Sequence, residues 1–149
     1  MSKDPDVTLA TIHEVRDSCL CLHVRRAARA VARRYEEALR PLGLTGGQFS
    51  LLMALGRPKP WTVNEVAGLL GMDRTTVTAN LKPLARRGLV AVTAAESDRR
   101  SRLMTLSDDG RKLLVRALPL WRAAQQENER LLAAGSDPDR LRADLIALS

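Results

Sequence analysis

The stretch TVNEVAGLLGMDRTTVTANL, residues 62 to 81, constrains the fold more than any other part of the chain. Thr62 and Glu65 have the spacing of a capping box, in which the hydroxyl and the carboxylate each accept a backbone N–H at a helix start. Trp61 and Val66 flank the box as an apolar staple. Gly71 stops that helix where φ must turn positive, and Asp73 caps a second helix beginning at Arg74. Counted from Val63, Ala67 is the fifth residue, Gly71 the ninth and Val77 the fifteenth. A small residue at the fifth place lets two helices cross closely. Glycine at the ninth permits a tight turn, and an aliphatic residue at the fifteenth seats the second helix on the first. The stretch therefore reads as a helix-turn-helix.

Val77, Leu81 and Leu84 form the buried stripe of the second helix, which leaves Arg74, Thr75, Thr76, Thr78, Asn80 and Lys82 toward solvent. Short hydroxyl side chains at a helix N-terminus can reach phosphates and base edges of a duplex, and arginine can bond guanine O6 and N7 together. The plainer alternative is an exposed helix that threonines merely cap. Charge favours the first reading: the net charge is +7, and residues 73–102 hold seven basic side chains against three acidic ones. Such an excess suits a polyanionic partner. Pro83 removes the bond to the Ala79 carbonyl and predicts a bend rather than an end. Gly88 follows as the residue that closes the helix.

Around this centre the chain is helical, with one exception. Residues 12–40 carry apolar residues at three- and four-residue steps, from Ile12, Val15, Cys19 and Leu22 onward, and predict one long helix that ends at Pro41 and Gly43. A helix from Thr45 has Phe49, Leu52, Met53 and Leu55 as its apolar side. LVAVT (89–93) and RLMTL (102–106), joined by AAESDRRS, read as a long-looped β-hairpin. SDDG opens a helix over 109–134 with Pro119 inside it. Gly135 closes that helix, and Asp137-Pro138 starts a short last one. The fold class is mainly α with a small antiparallel β-hairpin. Arg99, Arg100 and Arg102 make the hairpin a wing able to enter a narrow minor groove, and Asp98 is placed to hold its shape by pairing with Arg100 or Arg102.

With these parts in this order, the chain resembles the MarR family of winged helix-turn-helix transcriptional regulators, from about His13 to Leu148. The most specific piece is D-R-R-x-x-x-x-x-L-S-x-x-G, Asp98 to Gly110, joined to L-x-x-L-x-R-R-G-L-V from Leu81 to Val90. Ser107 stands where the family usually has threonine and still caps the next helix. The resemblance implies a single domain over 1–149, with a winged-helix DNA-binding lobe at 45–106 and dimerisation helices at 12–40 and 108–149. It implies a homodimer on a pseudo-palindromic operator in double-stranded DNA, acting as a repressor released by an aromatic acid or related lipophilic anion. The implied DNA contacts fall on Arg74, Thr75, Thr76, Thr78, Asn80, Lys82 and Arg100, with Arg99 and Arg102 beside them. His23, Arg26, Tyr35, Phe49 and Trp61 are the candidates for an effector pocket.

Cys21 offers an alternative. It precedes Tyr35 by fourteen residues, a spacing similar to that of the reactive cysteine and a supporting tyrosine in the hydroperoxide-sensing branch of the family. The places of two further tyrosines in that branch hold Arg25 and Gly46, and a buried cysteine acting as a small hydrophobe is the simpler account.

Other classes find little support. There is no Gly-rich phosphate loop, no G-x-S-x-G elbow and no paired histidine–carboxylate motif, so the chain does not read as an enzyme. Cys19 and Cys21 point about 200° apart on a helix and cannot share a metal with His23, so no metal or cofactor is implied. No apolar run reaches the ~18 residues of a membrane span, and the N-terminal stretch lacks a signal-peptide core, which places the chain in the cytoplasm. A winged helix can also serve as a protein-binding module, but the arginines and threonines on its reading face disfavour that role.

Overall fold

In the computed structural model, which describes residues 7–98 and 100–149, a side-chain cap starts each described α-helix except the one beginning at Leu20. Arg99, assigned to the wing above, lies outside the described residues. Contacts gather into two units, one ending at Arg33 and the other spanning Arg34–Ser149.

The first unit holds α1 (Leu9–Ser18) and the greater part of α2 (Leu20–Leu39). The single helix expected over 12–40 is thus two helices, divided at Cys19, whose ψ of 107° is extended. No glycine or proline marks the break. Instead, the Ser18 hydroxyl donates to the Glu14 carbonyl, and His23 Nδ1 donates to the Cys19 carbonyl at 2.8 Å. Such side-chain bonds compete with the helical ladder. Every described residue of α1 is exposed except the flanking Cys19, which is half-buried. Leu9 (67%), Ile12 (52%), Val15 (57%) and Leu20 (59%) all face solvent.

In the second unit α2 passes into a 3-10 turn, Arg40–Leu42, closed by Gly43. Then follow α3 (Gly46–Leu55), β1 (Trp61–Thr62), α4 (Val63–Leu70), α5 (Arg74–Arg86), β2 (Val90–Ala94), β3 (Arg102–Leu106), α6 (Asp108–Arg130) and α7 (Pro138–Ala147). The capping box expected at α4 is complete: Thr62 N–H donates to Glu65 Oε2 at 2.8 Å, and Glu65 N–H donates to Thr62 Oγ1 at 3.2 Å. A second box, Thr45 with Gln48, starts α3. Gly71 takes φ +62°, as the turn requires, and Asp73 Oδ1 accepts the Thr76 N–H at 2.7 Å. Helix α5 continues through Pro83 to Arg86.

These bonds hold the Glu65 carboxyl below its ordinary pKa, chiefly through the Thr62 backbone N–H, and that of Asp73 likewise through Thr76. Because the folded values lie below the unfolded ones, both caps contribute fully above the ordinary carboxylate range. Their contribution is lost as pH falls through the folded values.

The hairpin of β2 and β3 is antiparallel, with Val90 opposite Leu106 and Ala94 opposite Arg102. A third strand, β1, was not expected. It pairs Trp61 with Met104 and Thr62 with Leu103, giving the sheet order β1-β3-β2. Two residues are too short to show a period of two, and here the second of them is also the cap of α4.

The core joins α3, α4, α5, the sheet and the first half of α6, with Leu39, Leu52, Val66, Leu84, Met104 and Ala117 fully buried. The expected stripe of α5 is buried at Val77, Leu81 and Leu84. On α3 the expected apolar side is corrected. Leu51 is buried, while Met53 is 43% exposed.

Ser107 caps α6 from outside: its hydroxyl accepts the Gly110 N–H at 3.0 Å and donates to the Gly88 carbonyl at 2.6 Å. Replacing it with alanine is expected to cost about 1–2 kcal/mol, seen as a lower denaturant midpoint with unchanged slope. Helix α6 ends at Arg130 rather than near Ala134, and Gly135 (φ +82°) lies in the turn that follows.

Candidate nucleic-acid interface

Helix α5 is anchored from below and open above. Arg74, Thr75, Thr76, Thr78 and Lys82 are exposed, whereas Asn80 is half-buried. The Asn80 amide donates to the Thr76 carbonyl at 3.0 Å, and its side chain lies against Gly47, where an added Cβ would approach Asn80 Nδ2 to 3.0 Å. Asn80 thus secures α5 against the start of α3 instead of joining the open row. At the far end, Arg87 Nη1 and Nη2 donate to the carbonyls of Gly43 and Leu42 at 2.9 and 3.0 Å. One guanidinium satisfies two carbonyls left free by the 3-10 turn.

Arg74, Thr75, Thr78, Ala79 and Lys82 line a shallow trough along α5. Arg74 also borders a second, polar cleft with Thr62, Val63, Asn64, Asp98, Arg100, Ser101 and Arg102. The open face of α5 and the wing are therefore continuous through Arg74. Thr62 and Asn64 join the cleft from the N-terminus of α4, and sequence reasoning missed both. The signal was present in the capping box, since a helix start presents N–H groups outward.

The wing is shaped by Asp98, but not as expected. Its Oδ1 accepts the Arg100 backbone N–H at 2.9 Å and its Oδ2 accepts the Ser101 hydroxyl at 3.2 Å. The Ser101 N–H also donates to the Asp98 carbonyl at 3.1 Å. These are turn bonds of the kind short acidic side chains make with their own backbone. Among the described residues, no ion pair occupies Arg74, Arg100 or Arg102. Those guanidinium groups remain available to an outside anion.

Beside α3 lies an apolar pocket of about 350 Å³, lined by Phe49, Ser50, Met53, Ala54, Arg57, Leu69, Leu70, Leu118 and Trp121. The Phe49 and Trp121 rings stack with centroids 6.4 Å apart. Arg57 stands over the Trp61 ring at 5.2 Å and has no carboxylate partner among the described residues.

A family model described as the MarR family matches residues 42–101. The transcriptional regulator MosR of M. tuberculosis, solved in complex with DNA, is 41% identical with a TM-score of 0.77, and the match covers 88% of this chain and 93% of that one. The chain belongs to the MarR family. The transcriptional repressor CouR, solved on a 23-mer DNA duplex, is 31% identical with a TM-score of 0.78 over 91% of this chain and 94% of its own. The organic hydroperoxide resistance transcriptional regulator of Bacillus subtilis (strain 168) is 29% identical over 108 residues, which span 72% of this chain and 74% of that protein. The matching proteins are transcriptional regulators, a non-enzymatic class to which this chain also belongs.

In this MarR-family regulator only Phe49 of the five expected effector-pocket residues lines the pocket beside α3. Trp61 sits in β1 beneath Arg57 and Lys59. The Tyr35 hydroxyl donates to Gln125 on α6, and burial raises its pKa against the opposing influence of Asn128. His23 and Arg26 belong to the first unit. Cys21 is exposed, not buried as its reading as a small hydrophobe requires. Among the described residues no group of His, Cys, Asp and Glu is arranged to hold a metal, and no helix is long and apolar enough to cross a membrane.

Proposed function

We propose that this MarR-family regulator binds double-stranded DNA as a homodimer at a pseudo-palindromic operator, and that a lipophilic anion releases it. The observation that carries the reading is the continuity through Arg74 of an exposed hydroxyl-rich helix face with a wing of free arginines. Arg74, Thr75, Thr76 and Thr78 face base edges in the major groove, while Lys82, Arg100 and Arg102 neutralise phosphate. Asn80 and Asp98 act indirectly, by holding α5 and the wing in place. Relatives solved in complex with DNA support a DNA duplex as the partner.

Dimerisation is supported by apolar surface near both ends of the described chain. Leu9, Ile12 and Val15 are exposed on α1, and Ile146 and Leu148 (72% and 63%) at the end of α7. A second copy would cover such surface. Repression follows if the operator overlaps a promoter. The anion would enter the pocket of Phe49 and Trp121, with Arg57 as counter-charge.

Footprinting on genomic fragments tests the DNA reading: a protected, two-fold symmetric site is expected, and retention of a protein with no DNA fragment would count against it. Asp98→Ala is expected to weaken operator binding about tenfold while the thermal midpoint stays put, since losing the wing's turn bonds disorders only a surface loop. Equal affinity in that variant would remove Asp98 from the role.

The exposed Cys21 favours a second reading, in which an organic hydroperoxide is the signal. The thiolate would take the distal peroxide oxygen and become a sulfenate, with release of the alcohol. Operator binding that persists in the presence of hydroperoxide, or release that is unchanged in Cys21→Ser, would dismiss it.

A further inference from the structure

We infer that the effector site has two lobes and takes an elongated aryl-alkyl carboxylate whose acid pairs with Arg111. This deepens the effector reading above and rests on it. The pocket beside α3 does not end at Met53 and Leu118. On the other side of these two residues a second apolar concavity of about 510 Å³ opens between α3, the end of β3 and the first half of α6. Met53, Arg57 and Leu118 border both spaces. Each is within the size range of small-molecule sites.

The groups at the two ends differ. The inner lobe ends at the stacked rings of Phe49 and Trp121, which suit an aryl group. The outer lobe is walled by Leu114 and Val115 and holds Arg111. Arg111 has no carboxylate partner among the described residues. Arg111 and Trp121 are ten residues apart on one helix, a distance of about 15 Å along its axis. That exceeds a single ring with a short acid but matches a ring on an extended alkyl chain.

Charge therefore depends on length. A short aryl acid filling the inner lobe has Arg57 within its reach. A long one passes Met53 and Leu118 and delivers its carboxylate to Arg111, with its chain against Leu114 and Val115. Arg57 then borders the alkyl chain, with its own guanidinium still supported by the Trp61 ring.

Titrations of the full chain by tryptophan fluorescence test this, with phenylacetate and an ω-phenylalkanoate bearing an eight-carbon acid chain as probes. The long acid is expected to bind about tenfold or more tightly than phenylacetate, because it buries more chain. Arg111→Gln is expected to weaken the long acid about tenfold and leave phenylacetate unchanged, whereas Arg57→Gln weakens phenylacetate. Phenylacetate binding that depends on Arg57, with no gain from length and no effect of Arg111→Gln, overturns the two-lobed site and leaves the effector reading standing. Binding of neither acid, with operator binding intact, overturns both. Val115→Asp adds a separate readout: weaker long-acid binding with unchanged sedimentation supports the proposal. A changed oligomeric state with unchanged long-acid affinity assigns the outer lobe to a second copy and overturns it.

Discussion

Gly110→Ala is expected to be the most damaging single methyl in the lobe, lowering stability by about 3 kcal/mol or more. A Cβ at Gly110 would lie 2.3 Å from the Leu89 carbonyl oxygen and 2.6 Å from Leu106 Cδ1. The leucine methyl can rotate away. The carbonyl cannot, because it accepts the Ser107 N–H at 3.0 Å and lies next to the first residue of β2. Relief would require α6 to lift from the sheet, which breaks the Ser107 cap on both sides. A loss of that size corresponds to about 10 °C in thermal midpoint for a chain of this length. Gly68→Ala supplies the contrast. Gly68 is in α4, and nothing lies within 4 Å of the Cβ it would gain. That change is expected to stabilise by about 0.5–1 kcal/mol, because it removes freedom from the unfolded chain. A Gly110 variant that melts with the parent would contradict the close approach of α6 to the Leu89 carbonyl.

The second large effect concerns salt. Lys82, Arg100 and Arg102 give three exposed phosphate-facing cations per lobe, and two lobes on one operator would release counterions from about six phosphates. Affinity is then expected to fall about 10³-fold between 50 and 200 mM salt. Lys82→Ala should weaken binding on every sequence alike and flatten the salt slope by about one unit per protomer. Arg74→Ala should instead alter which sequences are preferred, with about 1–3 kcal/mol lost at the best site. Titrations on an operator and on a scrambled duplex at several salt concentrations separate the two behaviours. A salt-independent affinity would end the proposed docking.

The contrast between what the residues foretold and what they hid follows from the range of the interactions involved. Thr62 with Glu65, Gly71, Asp73 and the Ser107 cap on Gly110 each act within four residues, so their consequences could be read directly from spacing, whereas the Ser107 bond to Gly88 could not. The α5 stripe was equally plain, because one face of one helix decides it. Asn80 misled for the same reason: a helical projection places it near the open row, yet Gly47, far away in sequence, leaves room for it to turn inward. The break at Cys19 was hidden because Ser18 and His23 make side-chain bonds to backbone that no periodicity registers. The pocket was the least legible part. Its walls come from three separate helices, and Trp121, Leu69 and Leu118 meet Phe49 only after α4 and α6 have packed on α3. Asp98, expected to pair with a neighbouring guanidinium, instead accepts from a backbone amide and a hydroxyl.

The pairing of Arg87 with the Leu42 and Gly43 carbonyls, and of Asn80 with Gly47, has a mechanical corollary. Arg87 ties the end of α5 to the turn before α3, and Asn80, at the middle of α5, lies against Gly47 of α3, so the two helices form one beam. Met53 and Arg57, on the same beam, form the wall of the apolar groove. Under the proposed effector reading, a ligand wedged into that groove would press on the same body that carries the threonine row.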